Sequence, residues 1–403
     1  MNCISKQVPL DEWALRRARI PQVNEVISIE HAMQVAFDVA WQGLGHTSPN
    51  PLVGAVALDC ENKFLGVSYH ARVGKAHAEA SLVQLIRANG MEDRMRDGTI
   101  VVTLEPCAHH GRTPPCSDLL TTIGLKRVCY AVQDPNPLVA GKGAKRIRDA
   151  GITCELISGF ESLARQQNEM FFWRHEKDND VFVGLKAATS IGGSIARKGD
   201  KRVWITGERA RRFGHFLRMV YDGIAVGAQT VIDDNPSLDP YMLKDWRPPH
   251  KVVLDPELRA AECRDLSEFK LLQSDPSKVH WFLTDDAEGG HPDLVKRMQE
   301  MGINLNIVGS SWFEPQAVLD AIHGAGVHSL LLEGGAGLYS SFLDMGLVRR
   351  MHLFQSPKLF AGADLIHVET ARAQDAQMLN LQQMTLTILD QDFLVEANCK
   401  QQE

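Results

Sequence analysis

Two successive α/β domains are what this sequence predicts. Three observations carry that expectation. Stretches of strand and helix character alternate along most of the chain, as in helices packed on a sheet. The polar stretch Ser158–Lys177 separates two such alternating series, which places a boundary near 160–180. At 403 residues the chain is also too long for one average domain.

The elements follow in order. Ser28 can cap a helix that Gly43 ends, with Ile29, Met33, Phe37 and Ala40 on one face. Strands are expected at Val53–Leu58 and Phe64–Tyr69, then a helix over Ala78–Asn89 that Gly90 stops. Thr99–Leu104 reads as a buried strand. Ser117–Ile123, Arg127–Val132, Lys142–Ala150 and Ile152–Leu156 then alternate helix and strand. The second half predicts strands at Val181–Ala187, Arg202–Thr206, Gly223–Val226, Lys251–Leu254, His280–Leu283 and Ser329–Leu332. Helices are expected at Glu208–Tyr221, Asp293–Met301 and Glu314–His323, and Asp255–Lys278 is the least patterned stretch.

Composition excludes several classes of function. Hydrophobic residues at 44% and charged residues at 23% suit a globular protein with real cores. The net charge of −7 argues against a polynucleotide substrate, although a local basic patch can still hold a small phosphorylated molecule. Eight scattered cysteines suit a reducing compartment, where clustered thiols mean metal more often than disulfide. Residues Met1–Val26 lack the continuous apolar core of a secretory signal, and no run of about 18 apolar residues occurs. A cytoplasmic protein with no membrane partner is expected.

The strongest motif is His77-Ala78-Glu79, followed by Pro106-Cys107 and Cys116. One imidazole and two thiolates make the three-ligand set of a catalytic zinc, whose fourth position is left for water. The metal makes that water acidic near neutral pH, and Glu79 is placed to carry its proton to a ring nitrogen and a departing amine. His-x-Glu with Pro-Cys is a zinc-deaminase signature in which the glutamate is acid/base and not a ligand. A closed structural zinc would need a fourth ligand, and His109 or His110 is the alternative source. Eight residues, Ala108–Pro115, separate the cysteines, where the general signature has two.

That long loop carries a resemblance. Thr47-Ser48-Pro49-Asn50-Pro51-Leu52-Val53-Gly54, the run Glu105–Cys116 and Gln133-Asp134-Pro135-Asn136-Pro137 resemble the bifunctional riboflavin-biosynthesis deaminase–reductases, from about Ile29 to the C-terminus. The resemblance implies a three-layer cytidine-deaminase-like domain at 28–175 and a dihydrofolate-reductase-like α/β domain at 181–400, after an N-terminal extension at 1–27. It further implies deamination of 2,5-diamino-6-(5-phosphoribosylamino)pyrimidin-4-one, with Asn50 orienting the substrate. NADPH-dependent reduction of the ribose to a ribityl chain would follow. A homo-oligomer is left open.

In the second half the residues themselves offer Leu332-Glu333-Gly334-Gly335-Ala336-Gly337-Leu338, a strand running into glycines and a helix. Such a turn lets backbone N–H groups approach a phosphate, but it is not the Gly-x-Gly-x-x-Gly fingerprint of a Rossmann domain. The resemblance makes Thr189, Trp204, Thr230, Asp234, Gly335, Ala336 and Gly337 cofactor contacts, and Arg218, Leu238 and Glu333 substrate contacts. Three positions depart from the family. Gly192 stands where a carboxylate is usual, Arg202 where a serine is, and Tyr241 where an arginine is. Losing that arginine removes a charge-assisted contact, so an inactive or retuned reductase is the alternative. A base-flipping polynucleotide deaminase is the remaining one.

Overall fold

Local chemistry sets where the helix after Ser28 begins. The Ser28 side chain accepts from the backbone N–H of His31 at 3.2 Å and caps a free donor there. The computed structural model describes residues 5–7, 19–109, 114–137, 139–177, 180–197, 203–242, 246–312, 314–362, 364–368 and 381–399. They divide into two units, one of Asp11–Asp178 and one of Met1–Leu10 with Asn179–Glu403. Strand β1 (Ser5–Gln7) pairs inside the second unit.

The first unit has three layers. Its central sheet contains β2 (Gly54–Leu58), β3 (Phe64–Tyr69), β4 (Thr99–Val102), β5 (Arg127–Tyr130) and β6 (Thr153–Leu156), in the order β3-β2-β4-β5-β6. β2 runs antiparallel to β3 and β4, whereas β4, β5 and β6 are mutually parallel. Helix α1 (Ile29–Ala40) covers one face with Met33, Ala36 and Phe37. It lies so close to β2 that a Cβ on Gly54 would stand 2.0 Å from the Ala36 carbonyl oxygen. Helices α2 (Ala78–Ala88), α3 (Cys116–Thr121) and α4 (Lys142–Asp149) supply Leu82, Ile86, Leu120 and Ile147 to the other face. A sheet covered on both faces explains why β2 and β4 read as unbroken apolar runs.

The polar stretch after β6 is itself structured. It folds into α5 (Glu161–Gln167) and α6 (Glu169–Glu176), which belong to the first unit. Phe160, Leu163, Ala164, Phe171 and Phe172 recur at helical spacing and pack with α1. Between the two helices, the buried Asn168 amide accepts from Leu52 N at 2.7 Å and donates to Leu52 O at 3.0 Å.

The second unit is built on a ten-stranded sheet. It takes strands β7 (Phe182–Ser190), β9 (Gly223–Gly227), β10 (His250–Leu254), β11 (Val279–Leu283), β12 (Asn304–Ile307), β13 (Ser329–Leu332), β14 (Val348–Ser356), β16 (Leu381–Leu389) and β17 (Asp392–Cys399), with β1 at one edge. Strands β8 (Ser194–Arg197) and β15 (Leu365–His367) form a separate ribbon. The order runs β1-β16-β17-β14-β7-β13-β9-β10-β11-β12, and β7, β13, β9 and β10 are parallel. The helices are α7 (Glu208–Val220), α8 (Ala228–Asp234), α9 (Arg259–Glu262), α10 (Asp285–Gly290), α11 (Pro292–Glu300), α12 (Pro315–Gly324) and α13 (Ala336–Asp344).

Two expectations for this half need correction. Residues 203–206 form no strand, because Val203 and Trp204 are about half exposed and have no sheet to enter. Strands β14, β16 and β17 are missing from the sequence reading. Their alternation is masked by buried polar residues such as His352, which bonds Tyr221 Oη at 2.8 Å and Glu396 Oε1 at 2.9 Å. No helix among the described residues is long and apolar enough to cross a membrane.

Replacing Asn168 with alanine strands two buried backbone groups of Leu52. Chemical denaturation of Asn168→Ala is expected to show a loss of about 2 kcal/mol or more for the first unit.

Candidate active sites

Three elements converge on the zinc motif. His77 precedes α2 in extended conformation (φ −67°, ψ 165°), and Glu79 lies in the first turn of that helix. Cys107 sits in the loop after β4, and Cys116 opens α3. His77 Nδ1 stands 3.6 Å from Cys107 Sγ and 3.5 Å from Cys116 Sγ. Around a tetrahedral zinc with bonds of about 2.3 Å to sulfur and about 2.0 Å to nitrogen, such ligand atoms lie about 3.5 Å apart. The donor set therefore fits the ion. Among the described residues no fourth His, Cys, Asp or Glu joins this group. His109 is exposed, and residues 110–113, which include His110, lie outside the described residues.

Electrostatics distinguish the two thiols. The Cys116 thiol and, at 3.3 Å, the Cys116 backbone N–H point at the Cys107 sulfur and pull its pKa down to about 4. The same contact pushes Cys116 up. Glu79 is 3% exposed, and burial, with the nearby Cys107 charge, pushes its carboxyl up to about 7. A group so placed can both take and return a proton near neutrality.

Two supporting groups escaped the sequence reading. His70, at the end of β3, directs Nδ1 at the Ala76 carbonyl at 3.0 Å, so that nitrogen carries the proton. Its Nε2 then accepts from Asn50 Nδ2 at 3.2 Å, which fixes the Asn50 amide. Burial keeps His70 neutral by lowering its pKa. The His70 ring also meets the His77 ring edge-on, with centroids 5.3 Å apart, so Asn50 stands beside the metal motif. Glu105 is the second group. Its buried carboxylate accepts from the backbone N–H groups of Gly141 at 2.9 Å, Ala144 at 3.0 Å and Asp134 at 3.4 Å. It thereby ties Pro106-Cys107 to the start of α4.

In the second unit, one cavity of about 1830 Å³ opens beyond the carboxyl ends of β7, β9, β10 and β13. Parallel sheets bind ligands at that end, where strand order reverses. Trp204, Thr230, Asp234, Gly335, Ala336 and Gly337 all line it, as do Arg218, Leu238 and Glu333. Thr189 is an exception. It is 8% exposed and lies on the face of β7 opposite Lys186 and Ala188, because side chains alternate along a strand. Its side chain does not reach the cavity, contrary to expectation. Of the three departures, Tyr241 lines the cavity with its ring edge-on to His215 at 4.4 Å. Gly192 does not line it, and Arg202 lies outside the described residues.

At the centre of the cavity wall Glu333 receives Arg218 as a two-pronged pair, Nε to Oε1 at 2.7 Å and Nη2 to Oε2 at 2.9 Å. Lys186 Nζ adds a third contact at 3.4 Å. Burial favours the neutral acid, but the two cations outweigh it and hold Glu333 well below the usual carboxylate range. At Gly335 and Gly337 a Cβ would meet nothing within 4 Å, so open space adjoins the start of α13. A helix start bordered by glycines suits the phosphates of a nucleotide cofactor. Six Lys and Arg side chains against four Asp and Glu line the cavity, in a chain whose net charge is −7.

Comparisons with known proteins match both units. A family model described as the cytidine and deoxycytidylate deaminase zinc-binding region matches residues 27–132, and one described as the RibD C-terminal domain matches 181–395. The riboflavin biosynthesis protein RibD of Bacillus amyloliquefaciens is 35% identical over 335 residues, 83% of this chain and 85% of that one. The RibD protein of Aquifex aeolicus is 34% identical over 327 residues, 81% and 86% of the two chains. Among solved structures, Acinetobacter baumannii RibD superposes with a TM-score of 0.79 at 30% identity, covering 93% of this chain and 99% of that one. A Thermotoga maritima diaminohydroxyphosphoribosylaminopyrimidine deaminase/5-amino-6-(5-phosphoribosylamino)uracil reductase gives 0.75 at 28% identity, covering 92% and 99%.

Fold and sites thus define an enzyme that joins a zinc-binding deaminase domain to a reductase domain of the NADPH-dependent type. The chain belongs to the RibD family of riboflavin biosynthesis.

Two outcomes are expected. A Cβ on Gly143 would stand 1.7 Å from the Pro106 carbonyl oxygen, so Gly143→Ala must displace the Cys107 loop. Metal analysis of that variant should find well under half the zinc of the parent chain. His215 has its pKa lowered to about 4 by burial and by Arg218. Between that value and about 6.5 the unfolded chain binds a proton that the folded chain does not, so stability must fall as pH drops through this window. Urea midpoints at pH 7 and pH 5 should show that fall in the second unit, and His215→Gln should shrink it.

Proposed function

We propose that this chain performs two successive steps of riboflavin biosynthesis on a small phosphoribosylated pyrimidine. The first is hydrolytic deamination of 2,5-diamino-6-(5-phosphoribosylamino)pyrimidin-4-one by the unit at 28–175. The second is reduction of the ribose of the product to a ribityl chain by the unit at 181–400. The relatives named above support both steps, and the cationic lining of the cavity suits a phosphorylated substrate better than a polynucleotide suits the acidic chain. A cytoplasmic site of action accords with these substrates.

The observation that carries the first step is the His77, Cys107 and Cys116 triangle with Glu79 buried beside it. Those three residues would hold zinc, which supplies a Lewis acid and an acidified water when bound. Glu79 takes one proton as water adds to the ring carbon and passes it to the ring nitrogen, then takes the second proton from the new hydroxyl and delivers it to the amine as the C–N bond breaks. Ammonia leaves, and a carbonyl stands in place of the amino group. A carboxyl near pKa 7 suits both directions of transfer. The Asn50 amide, fixed by His70, orients the ring.

For the second step Arg218, Leu238 and Glu333 would face the ribotide. Trp204, Thr230, Asp234, Gly335, Ala336 and Gly337 would hold NADPH, which supplies the hydride when bound. Tyr241 favours a second reading of this half, in which the pocket is retuned. It places an aromatic edge against His215 where the family has a cation.

Glu79→Gln removes the proton carrier and leaves all three ligands in place. The variant is expected to keep its zinc and to release ammonia at least about 100-fold more slowly, in line with general acid–base catalysis. Substantial turnover of the diaminopyrimidine by that variant would overturn the assignment. Mass analysis of products with and without NADPH tests the second step, since deaminated but unreduced product would leave only the deaminase.

A further inference from the structure

The loop after α8 is conformationally costly. Leu238 has φ +59°, in the left-handed region that is unfavourable for a residue bearing a side chain. Something must hold it there, and the next residue does. Asp239 is 6% exposed, and its Oδ1 lies 3.0 Å from the ammonium of Lys251 on β10. Lys251 is fully buried and does not line the cavity. Its Nζ also donates to the Leu271 carbonyl at 2.8 Å and to Ser274 Oγ at 2.7 Å, so all three ammonium protons have acceptors. Ser274 Oγ in turn donates to Asp239 Oδ1 at 3.1 Å.

The backbone of the same aspartate serves the site. The Asp239 carbonyl oxygen accepts from Arg218 Nη1 at 3.2 Å and is 3.2 Å from His215 Nδ1. Arg218 spends Nε and Nη2 on Glu333, so its guanidinium is held on one side by Glu333 and on the other by this carbonyl. A buried ion pair is weak as a source of stability, because desolvation offsets most of the attraction. Its directional bonds, by contrast, set where the Asp239 peptide stands.

We propose that the Lys251–Asp239 ion pair is a positioning element of the reductase site. It fixes the carbonyl that aims Arg218 and His215, and so sets affinity for the ribotide. The inference rests on the reading that Arg218 faces that substrate. Neither the motif nor the cavity lining points to Lys251, which acts only through Asp239.

The test uses the full-length chain with 5-amino-6-(5-phosphoribosylamino)uracil and NADPH. Lys251→Met and Asp239→Asn are each expected to raise the KM for the ribotide at least 10-fold. The Kd for NADPH, read by fluorescence titration, should stay within twofold, and ammonia release by the first unit should be unchanged. In Lys251→Met/Asp239→Asn no uncompensated charge remains, so the thermal midpoint should recover while KM stays high. Recovery of KM together with the midpoint would show that the pair only stabilises the fold, and would overturn the proposal. So would a ribotide KM within twofold of the parent in folded single variants. Should a single variant fail to bind NADPH, the double variant decides. Arg218→Ala separates the two levels of inference: an unchanged KM there sinks the reading of the pocket, whereas a raised KM with no effect at Lys251 sinks only the positioning role.

Discussion

The geometry of the deaminase site depends on one buried carboxylate. Glu105 accepts three backbone N–H groups, two of them from the start of α4, and so turns the chain leaving β4 toward that helix. Close packing of Pro106 on Gly143 completes the turn. Cys107 follows immediately, and its sulfur and carbonyl then receive the first N–H groups of α3, which brings Cys116 to the same point. The metal triangle is thus a consequence of how two helix starts are tied to one strand end. Glu79 comes from a third helix start, where free N–H groups and the helix dipole favour an acidic side chain in the first turn.

The reductase site is organised by the same logic with charges in place of a metal. Glu333 sits at the end of β13, between β7 and β9, and so draws Lys186 from one neighbouring strand and Arg218 from the helix that precedes the other. The cluster combines two cations with one anion in a poorly hydrated wall. Removing Glu333 would strand both cations, so the carboxylate holds the cluster rigid in shape. Rigidity of that kind is what a site for orienting a flexible ribose requires.

How much of this was legible in the sequence differs between the halves for a physical reason. Metal ligation demands particular atoms at short range, so His77, Cys107 and Cys116 stand out as residue types. The sheet of the first unit was readable because both its faces are buried. Thr189 misled because a family position says nothing about which face of a strand a side chain takes; the two-residue period of β7 sends Lys186 and Ala188 to the cavity and Thr189 away from it. Lys251 and Asp239 were invisible for a different reason. Each residue type is ordinarily a solvated surface group, and nothing in their spacing of twelve reveals that folding places them 3.0 Å apart in the interior. His70 and Glu105 belong to the same class: His70 links the Ala76 carbonyl to the Asn50 amide and Glu105 gathers backbone N–H groups far along the chain, and neither leaves a sequence pattern.

Charge distribution sets the cavity apart from the rest of the chain. The chain as a whole is acidic at −7, yet its large cavity is lined by more cations than anions. A negative exterior repels polyanions at long range, whereas a cationic recess, screened little because it is partly buried, attracts a single phosphate once it has entered. The Lys186–Arg218–Glu333 cluster therefore need not neutralise its surplus charge internally. Under the proposed function, the phosphate of the ribotide would supply the missing anion.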